Sequence, residues 1–291
     1  MRLINALLAG AIAAAAPTPA LAKPSDVIVL KKTGKWQVNY DDDSCSLLGQ
    51  FGEDKQASIL RMTQFEPGDW FDVTIYGKPF KGYGANTTVT VGFNPQLNPP
   101  SRQVMRATTG KDIPTLLVGG MRLDDWSSPT PGAIPPAVTR QQEAAAISLT
   151  IRVAGNKTYR FDAGPFDKAM DAMRTCMVDL VKHWGFDPAA QASLTRRPQP
   201  TNDPTTWLVS NDYPDNALWQ GHQGIVRFRL DVDENGMVSA CHVLYRTNPD
   251  DFADITCRNV TQRAKFAPAL DAAGKPVKAF YIQTVRWQIP G

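Results

Sequence analysis

The sequence predicts an α+β protein in two parts. A β-rich N-terminal domain ends in an amphipathic helix, and a small C-terminal β-β-α-β domain packs one helix on an antiparallel three-stranded sheet. Three observations carry this. Between Val27 and Tyr159, stretches such as Phe71–Tyr76 and Thr87–Phe93 alternate apolar and polar residues, the mark of strands with one buried face. Between Pro165 and His183 the rhythm changes to Phe166, Met170, Met173, Met177 and Leu180, one face of a helix. From Asn211 onward, strand, turn, strand, helix and strand patterns follow one another to the C-terminus.

Composition bounds the class. The chain has 291 residues, 43% hydrophobic and 20% charged, with 21 Gly and 23 Pro. At roughly 150 residues per domain this suits two domains. Plentiful aromatic and β-branched residues exclude disorder throughout, and the Gly and Pro content favours turns and short strands. A formal net charge of +3 offers no basic field for nucleic acid. No apolar run reaches the roughly 18–20 residues that span a bilayer.

Residues 1–22 read as a cleavable signal peptide. Arg2 begins it, Leu3–Ala16 is apolar apart from Asn5, Pro17 and Pro19 follow, and Ala20-Leu21-Ala22 is a small-x-small site before Lys23. The expected fate is export from the cytoplasm. Export makes disulfides the expectation for the four cysteines, Cys45, Cys176, Cys241 and Cys257. Neither the cysteines nor the histidines have zinc-ligand spacing, so no metal site is expected.

Residues 23–187 form the N-terminal domain. Strand candidates are Val27–Leu30, Lys35–Tyr40, Ile59–Thr63, Phe71–Tyr76, Thr87–Phe93, Ile147–Val153 and Thr158–Phe161, with Gly155-Asn156 as a hairpin turn. Asn94–Ser101 and Ser127–Pro136 are the Pro- and Gly-rich separators. Pro165 suits the first turn of the amphipathic helix, and Gly185 follows its end. Its Met stripe reads as core, and Cys176 borders the same face. Residues 188–207 hold Pro198, Pro200 and Pro204 without apolar periodicity and read as a linker.

Residues 208–291 carry the clearest pattern. Tyr213-Pro214 precedes a short helix candidate, Asp215–Gln220. In Ile225–Val232, residues Val226, Phe228, Leu230 and Val232 face one way and Arg227, Arg229 and Asp231 the other. Asp233-Glu234-Asn235-Gly236 makes a hairpin turn to Val238–Arg246. Asp250 or Asp251 is placed to cap a helix running to about Lys265, with Ala253, Cys257, Val260 and Ala264 on its apolar stripe. Val277–Ile289 is the closing strand, with Val277, Ala279, Tyr281, Val285, Trp287 and Ile289 on one face. So small a unit buries little core. Of the three possible pairings, Cys241–Cys257 would support it and leave Cys45 for Cys176.

Sequence signals for chemistry are weak, and neither a catalytic residue nor a cofactor is expected. Asp231-x-Asp233-x-Asn235-Gly236 opens like a calcium loop, but His242 stands where a bidentate Glu is needed. Asp41-Asp42-Asp43 reads as a solvated turn. In Gly77–Gly84 the residue after the second glycine is Tyr83, not the Lys of a phosphate loop, so a flexible surface loop is expected. His183, His222 and His242 have no nucleophile at a diagnostic spacing, and no Gly-x-Ser-x-Gly occurs.

The ordered set Tyr213-Pro214, Ala217, Gly221, Gly224-Ile225-Val226, Val232-Asp233, Asn235-Gly236, Val238, Cys241-His242-Val243, Arg263-Ala264-Lys265-Phe266-Ala267-Pro268-Ala269 and Gly274-Lys275-Pro276-Val277 resembles the C-terminal domain of TonB energy transducers. Thr247-Asn248-Pro249 stands where that family often has Ser-Ser-Gly. The resemblance implies a periplasmic domain that binds a segment of an outer-membrane transporter by adding it as a strand to the sheet edge. The contacts it implies are Tyr281, Ile282, Gln283, Thr284, Val285, Arg286 and Trp287. Such transducers carry an N-terminal membrane anchor and a long spacer. Here a cleavable leader and a folded domain are expected instead, so the binding domain would serve without the inner-membrane motor. Two other readings stand beside this one: a structural envelope protein that dimerises through the same edge, and a hydrolase in the N-terminal domain.

Overall fold

The computed structural model describes residues 27–82, 86–93, 101–127, 130, 133–153, 157–247 and 250–289. The expected signal peptide, the Gly155-Asn156 turn, and residues 248 and 249 of the loop after the second C-terminal strand lie outside these.

The N-terminal half is one ten-stranded sheet with a helix laid on it. Its strands are β1 (Val27–Lys31), β2 (Gln37–Tyr40), β3 (Cys45–Phe51), β4 (Ser58–Gln64), β5 (Phe71–Gly77), β6 (Asn86–Gly92), β7 (Ser101–Thr109), β8 (Ile113–Met121), β9 (Ser148–Val153) and β10 (Lys157–Asp162). Their spatial order is β1-β10-β9-β6-β7-β8-β5-β4-β3-β2. Only β1–β10 is parallel; every other pairing is antiparallel. Sheets of this width curl: Lys32 bridges Phe51, and Thr33 N donates to Gln50 O at 2.9 Å, so the end of β1 pairs edge to edge with the end of β3 and the sheet curls round to a concave side.

Leu30, Leu47, Phe51, Leu60, Met62, Ile75, Leu116 and Phe161 are buried on that side. Helix α1 (Arg140–Ala145) precedes β9, and α2 (Asp167–His183) covers the concavity. As its spacing predicts, Phe166, Met170, Met173, Met177 and Leu180 are all buried. A disulfide joins Cys45 on β3 to Cys176 on α2.

Three strands escape the period-two reading. Strand β3 is buried on both faces, with only Gln50 exposed, so no alternation shows. In β7 the alternate positions Arg102, Val104 and Arg106 include two arginines, whose guanidiniums donate to Gly120 O and Phe80 O at 3.1 and 2.8 Å. Its partner β8 contains Pro114 and two glycines. The loop expected over Gly77–Gly84 is ordered in its first part. Residues 78–80 form a 3-10 turn, and Phe80 is buried against Tyr159 and Phe161.

Residues 188–207 are more structured than a linker composition implies. Asp187 caps a short helix, α3 (Pro188–Ala192), through Ala189 N and Ala190 N. The chain then runs along the C-terminal unit as a strap. Thr195 N donates to Leu270 O, Arg196 Nη2 to Pro268 O, and Asn202 Nδ2 to Arg263 O. Strand β11 (Gln199–Pro200) pairs with Phe266–Ala267.

The C-terminal unit has the predicted architecture. Helix α4 (Asp215–Trp219) leads into β12 (Gly224–Val232), β13 (Val238–Arg246), helix α5 (Ala253–Arg263), the short strands β14 (Phe266–Ala267), β15 (Ala269–Leu270) and β16 (Pro276–Val277), and β17 (Ala279–Trp287). The main sheet is antiparallel, in the order β13-β12-β17. Val226, Phe228, Leu230 and Val232 are buried on one face, and Cys241 is bonded to Cys257 on α5. Gly236 turns the hairpin at φ +78°, and a Cβ there would stand 2.0 Å from Phe266 O. Neither Asp250 nor Asp251 caps α5. Asp250 pairs with Arg246, and Asp251 with His222.

Candidate functional site

The site is the outer edge of β17. Among the described residues this strand pairs with β12 alone, so one row of its backbone N–H and C=O groups has no strand partner. The free stretch has a definite beginning: Gln191 Nε2 on α3 donates to Lys278 O at 3.1 Å, just before the strand.

Alternation sorts the seven predicted residues into two sets. Tyr281, Gln283, Val285 and Trp287 share the face that carries α5. Trp287 is buried, stacked on Phe252 at 5.2 Å, and its Nε1 donates to Thr256 Oγ1 at 3.0 Å. Tyr281 packs between Trp207 and Phe266, and its hydroxyl donates to Gln283 Oε1 at 2.6 Å. Burial, followed by the nearby Glu66 carboxylate, pushes the Tyr281 hydroxyl above its ordinary value. Ile282, Thr284 and Arg286 point the other way. Ile282 packs against the N-terminal core, and Thr284 Oγ1 accepts from Arg227 Nε at 2.8 Å. Arg286 is exposed.

Part of that second face is covered, which the sequence pattern does not reveal. The polar side of β12 lies against the N-terminal half. Arg227 pairs with Asp72 on β5 at 2.8 Å and lies 4.2 Å over the Phe65 ring. Arg229, buried beside Asp231, lies 4.4 Å over Trp184. Burial pulls the Arg229 pKa down. Phe280 and Leu244 join the N-terminal apolar cluster. The one hint in the sequence is Trp184-Gly185-Phe186, two aromatics straddling the helix stop, which supply the docking wall.

Docking leaves cavities where the halves meet. A cleft of about 1020 Å³ opens between the outer face of the N-terminal sheet and the ends of β12, β13 and β17, with Thr284, Arg286 and Trp287 on its rim. A smaller one, about 300 Å³, is lined by Asp42, Asp43, His183, Trp184, Arg229, Asp231 and His242. Burial raises the Asp43 carboxyl there. Asp41 pairs with Arg61 and Asp42 faces His183 within the N-terminal half, and both are exposed, in keeping with a solvated turn. Asp233 spends its carboxylate on Asn235 N and Met237 N inside the hairpin. Among the described residues, no three His, Cys, Asp or Glu side chains are grouped to hold a metal ion.

The C-terminal unit thus combines a three-stranded sheet, a covering helix, a short N-terminal strap and, among the described residues, a last strand paired along one edge only. Residues 209–289 match the family described as the Gram-negative bacterial TonB protein C-terminal. The C-terminal unit is therefore a TonB-type domain, and the match supports a TonB-like role. A search of the curated proteins finds no match. The domain and the two disulfides point to an envelope protein, and no helix among the described residues is long and apolar enough to cross a membrane.

Proposed function

We propose that this protein is a periplasmic interaction module whose TonB-type domain takes an extended partner segment, such as one from an outer-membrane transporter, as an added strand on β17. The observation that carries this reading is the edge of β17 without a strand partner from Ile282 to Trp287. Backbone pairing supplies affinity and alternate side chains supply selectivity. The function is binding rather than catalysis, in support of TonB-dependent transport. The same edge also favours a second reading, in which two copies pair through β17.

A photo-crosslinking residue in place of Thr284, which is exposed, tests both. Adducts with an outer-membrane transporter are the expected result. Adducts only with a second copy would replace strand addition by dimerisation, and the absence of any adduct would remove both.

A further inference from the structure

We infer that the outer face of β1, β10 and β9 docks on an anionic lipid bilayer, with Lys31, Arg152 and Arg160 meeting headgroup phosphates and Val27 and Val29 entering the interface. This surface belongs to the N-terminal domain alone and stands apart from the edge of β17.

Sheet register assembles the face. In β1, Ile28 and Leu30 turn inward to the core. Val27, Val29 and Lys31 therefore point outward, and the two valines are 47% and 41% exposed. In β10, Tyr159 and Phe161 are buried in the core, so Thr158, Arg160 and Asp162 share the outward side. Val29 stands level with Arg160, and Arg160 with Thr150 on β9. Arg152 stands level with Thr158, and its Nε donates to Thr158 Oγ1 at 3.4 Å. Arg152 is exposed and Arg160 half-buried. Neighbouring strands lie about 4.8 Å apart, so the two arginines and the two valines occupy adjoining positions on three strands.

The charges on this face are one-sided. Lys31, Arg152 and Arg160 stand against a single carboxylate of these strands, Asp162, which lies opposite Lys31 in the register. Among the described residues none of the three cations has an ion-pair partner. Scattered exposed valines are ordinary. Valines set beside unpaired cations suit a bilayer surface, where aliphatic side chains enter the interfacial zone and each cation near the phosphates contributes about a fivefold gain in partitioning. An acidic protein or a soluble polyanion would use the cations and leave the valines in water. Strands β6, β7 and β8 separate β9 from β5, where Arg227 of the C-terminal unit pairs with Asp72. A bilayer bound here meets the N-terminal domain away from that contact.

The test uses the full chain and two kinds of vesicle, phosphatidylcholine alone and phosphatidylcholine with one-third phosphatidylglycerol. Co-sedimentation at low salt should show binding to the anionic vesicles only, and high salt should weaken it. Arg152→Gln combined with Arg160→Gln should reduce partitioning about twenty-five-fold. Lys111→Gln combined with Lys275→Gln removes the same charge from exposed loop positions elsewhere and should leave partitioning within about twofold. Val27→Thr combined with Val29→Thr keeps shape and strand preference and should reduce partitioning several-fold at every salt concentration. Melting temperatures of all three double variants should match the parent, since the substituted side chains point away from the core. Absence of binding to either vesicle, equal binding to both, or equal losses in the arginine and lysine pairs would overturn the inference. Vesicle binding that the valine substitutions leave unchanged and that soluble polyphosphate abolishes would assign the face to polyanions in general and overturn it as well.

Discussion

The ring of Phe280 packs edge-to-face on the indole of Trp184, with centroids 5.4 Å apart. Phe186 approaches the same ring at 5.3 Å. This one side chain ties the sheet of the TonB-type domain to the end of α2. The strand that offers its edge to a partner is thereby held against the N-terminal sheet.

Phe280→Ala should therefore loosen the docking as well as destabilise the fold. Truncating a buried Phe costs about 3–5 kcal/mol. Denaturant unfolding followed by Trp fluorescence should change from one transition to two, as the halves lose their shared cluster. A single transition at an unshifted midpoint would show that Phe280 is not the tie.

The two disulfides should differ in worth. Cys45–Cys176 closes a span of 131 residues and Cys241–Cys257 one of 16. Chain entropy then assigns about 5 kcal/mol to the first and about 3 kcal/mol to the second. The double Ser variants should lose stability in that order in urea titrations, and non-reducing peptide maps of the parent should show both linked pairs. The opposite order would mean that native contacts outweigh loop closure.

Gly236→Ala should cost at least about 1 kcal/mol, because the position needs a positive φ. The added Cβ would also collide with Phe266 O. Asn235→Ala on the exposed neighbouring position serves as the control. Equal midpoints for the two variants would contradict the turn.

Asp212 accepts from Arg263 Nη2 at 2.9 Å, and Arg263 holds its carboxyl below the usual range. A depressed folded value stabilises above the ordinary aspartate value and is lost as pH falls through it. Asp212→Asn should therefore cost about 1 kcal/mol at pH 7, after allowance for solvent screening, and almost nothing near pH 2. Thermal melts of the variant and parent at both pH values decide it. A difference that persists at pH 2 would mean that shape, not charge, matters.

Much of the fold was legible in the sequence. The 3.6-residue rhythm from Phe166 to Leu180 is buried as a stripe, and the alternation in Val226–Val232 faces α5, because one-sided burial imprints a period. Strand β3 was not legible, since burial on both faces erases the alternation, nor was β7, where arginines fill alternate positions and satisfy carbonyls. The strap over residues 188–207 also left no trace, because its contacts are backbone and cap bonds that any turn-forming composition can make.

The sequence by itself determined the order of strands and helix in the TonB-type domain, the Asn-Gly turn, and which residues of β17 share a face. Tertiary structure decided what each face meets. Arg227 and Arg229 stand on the polar side of β12, and that side is closed under Phe65, Trp184 and Asp72. Side-chain period records that two faces differ, while the docking of a separate sheet depends on contacts between residues far apart in the chain, which no local pattern encodes.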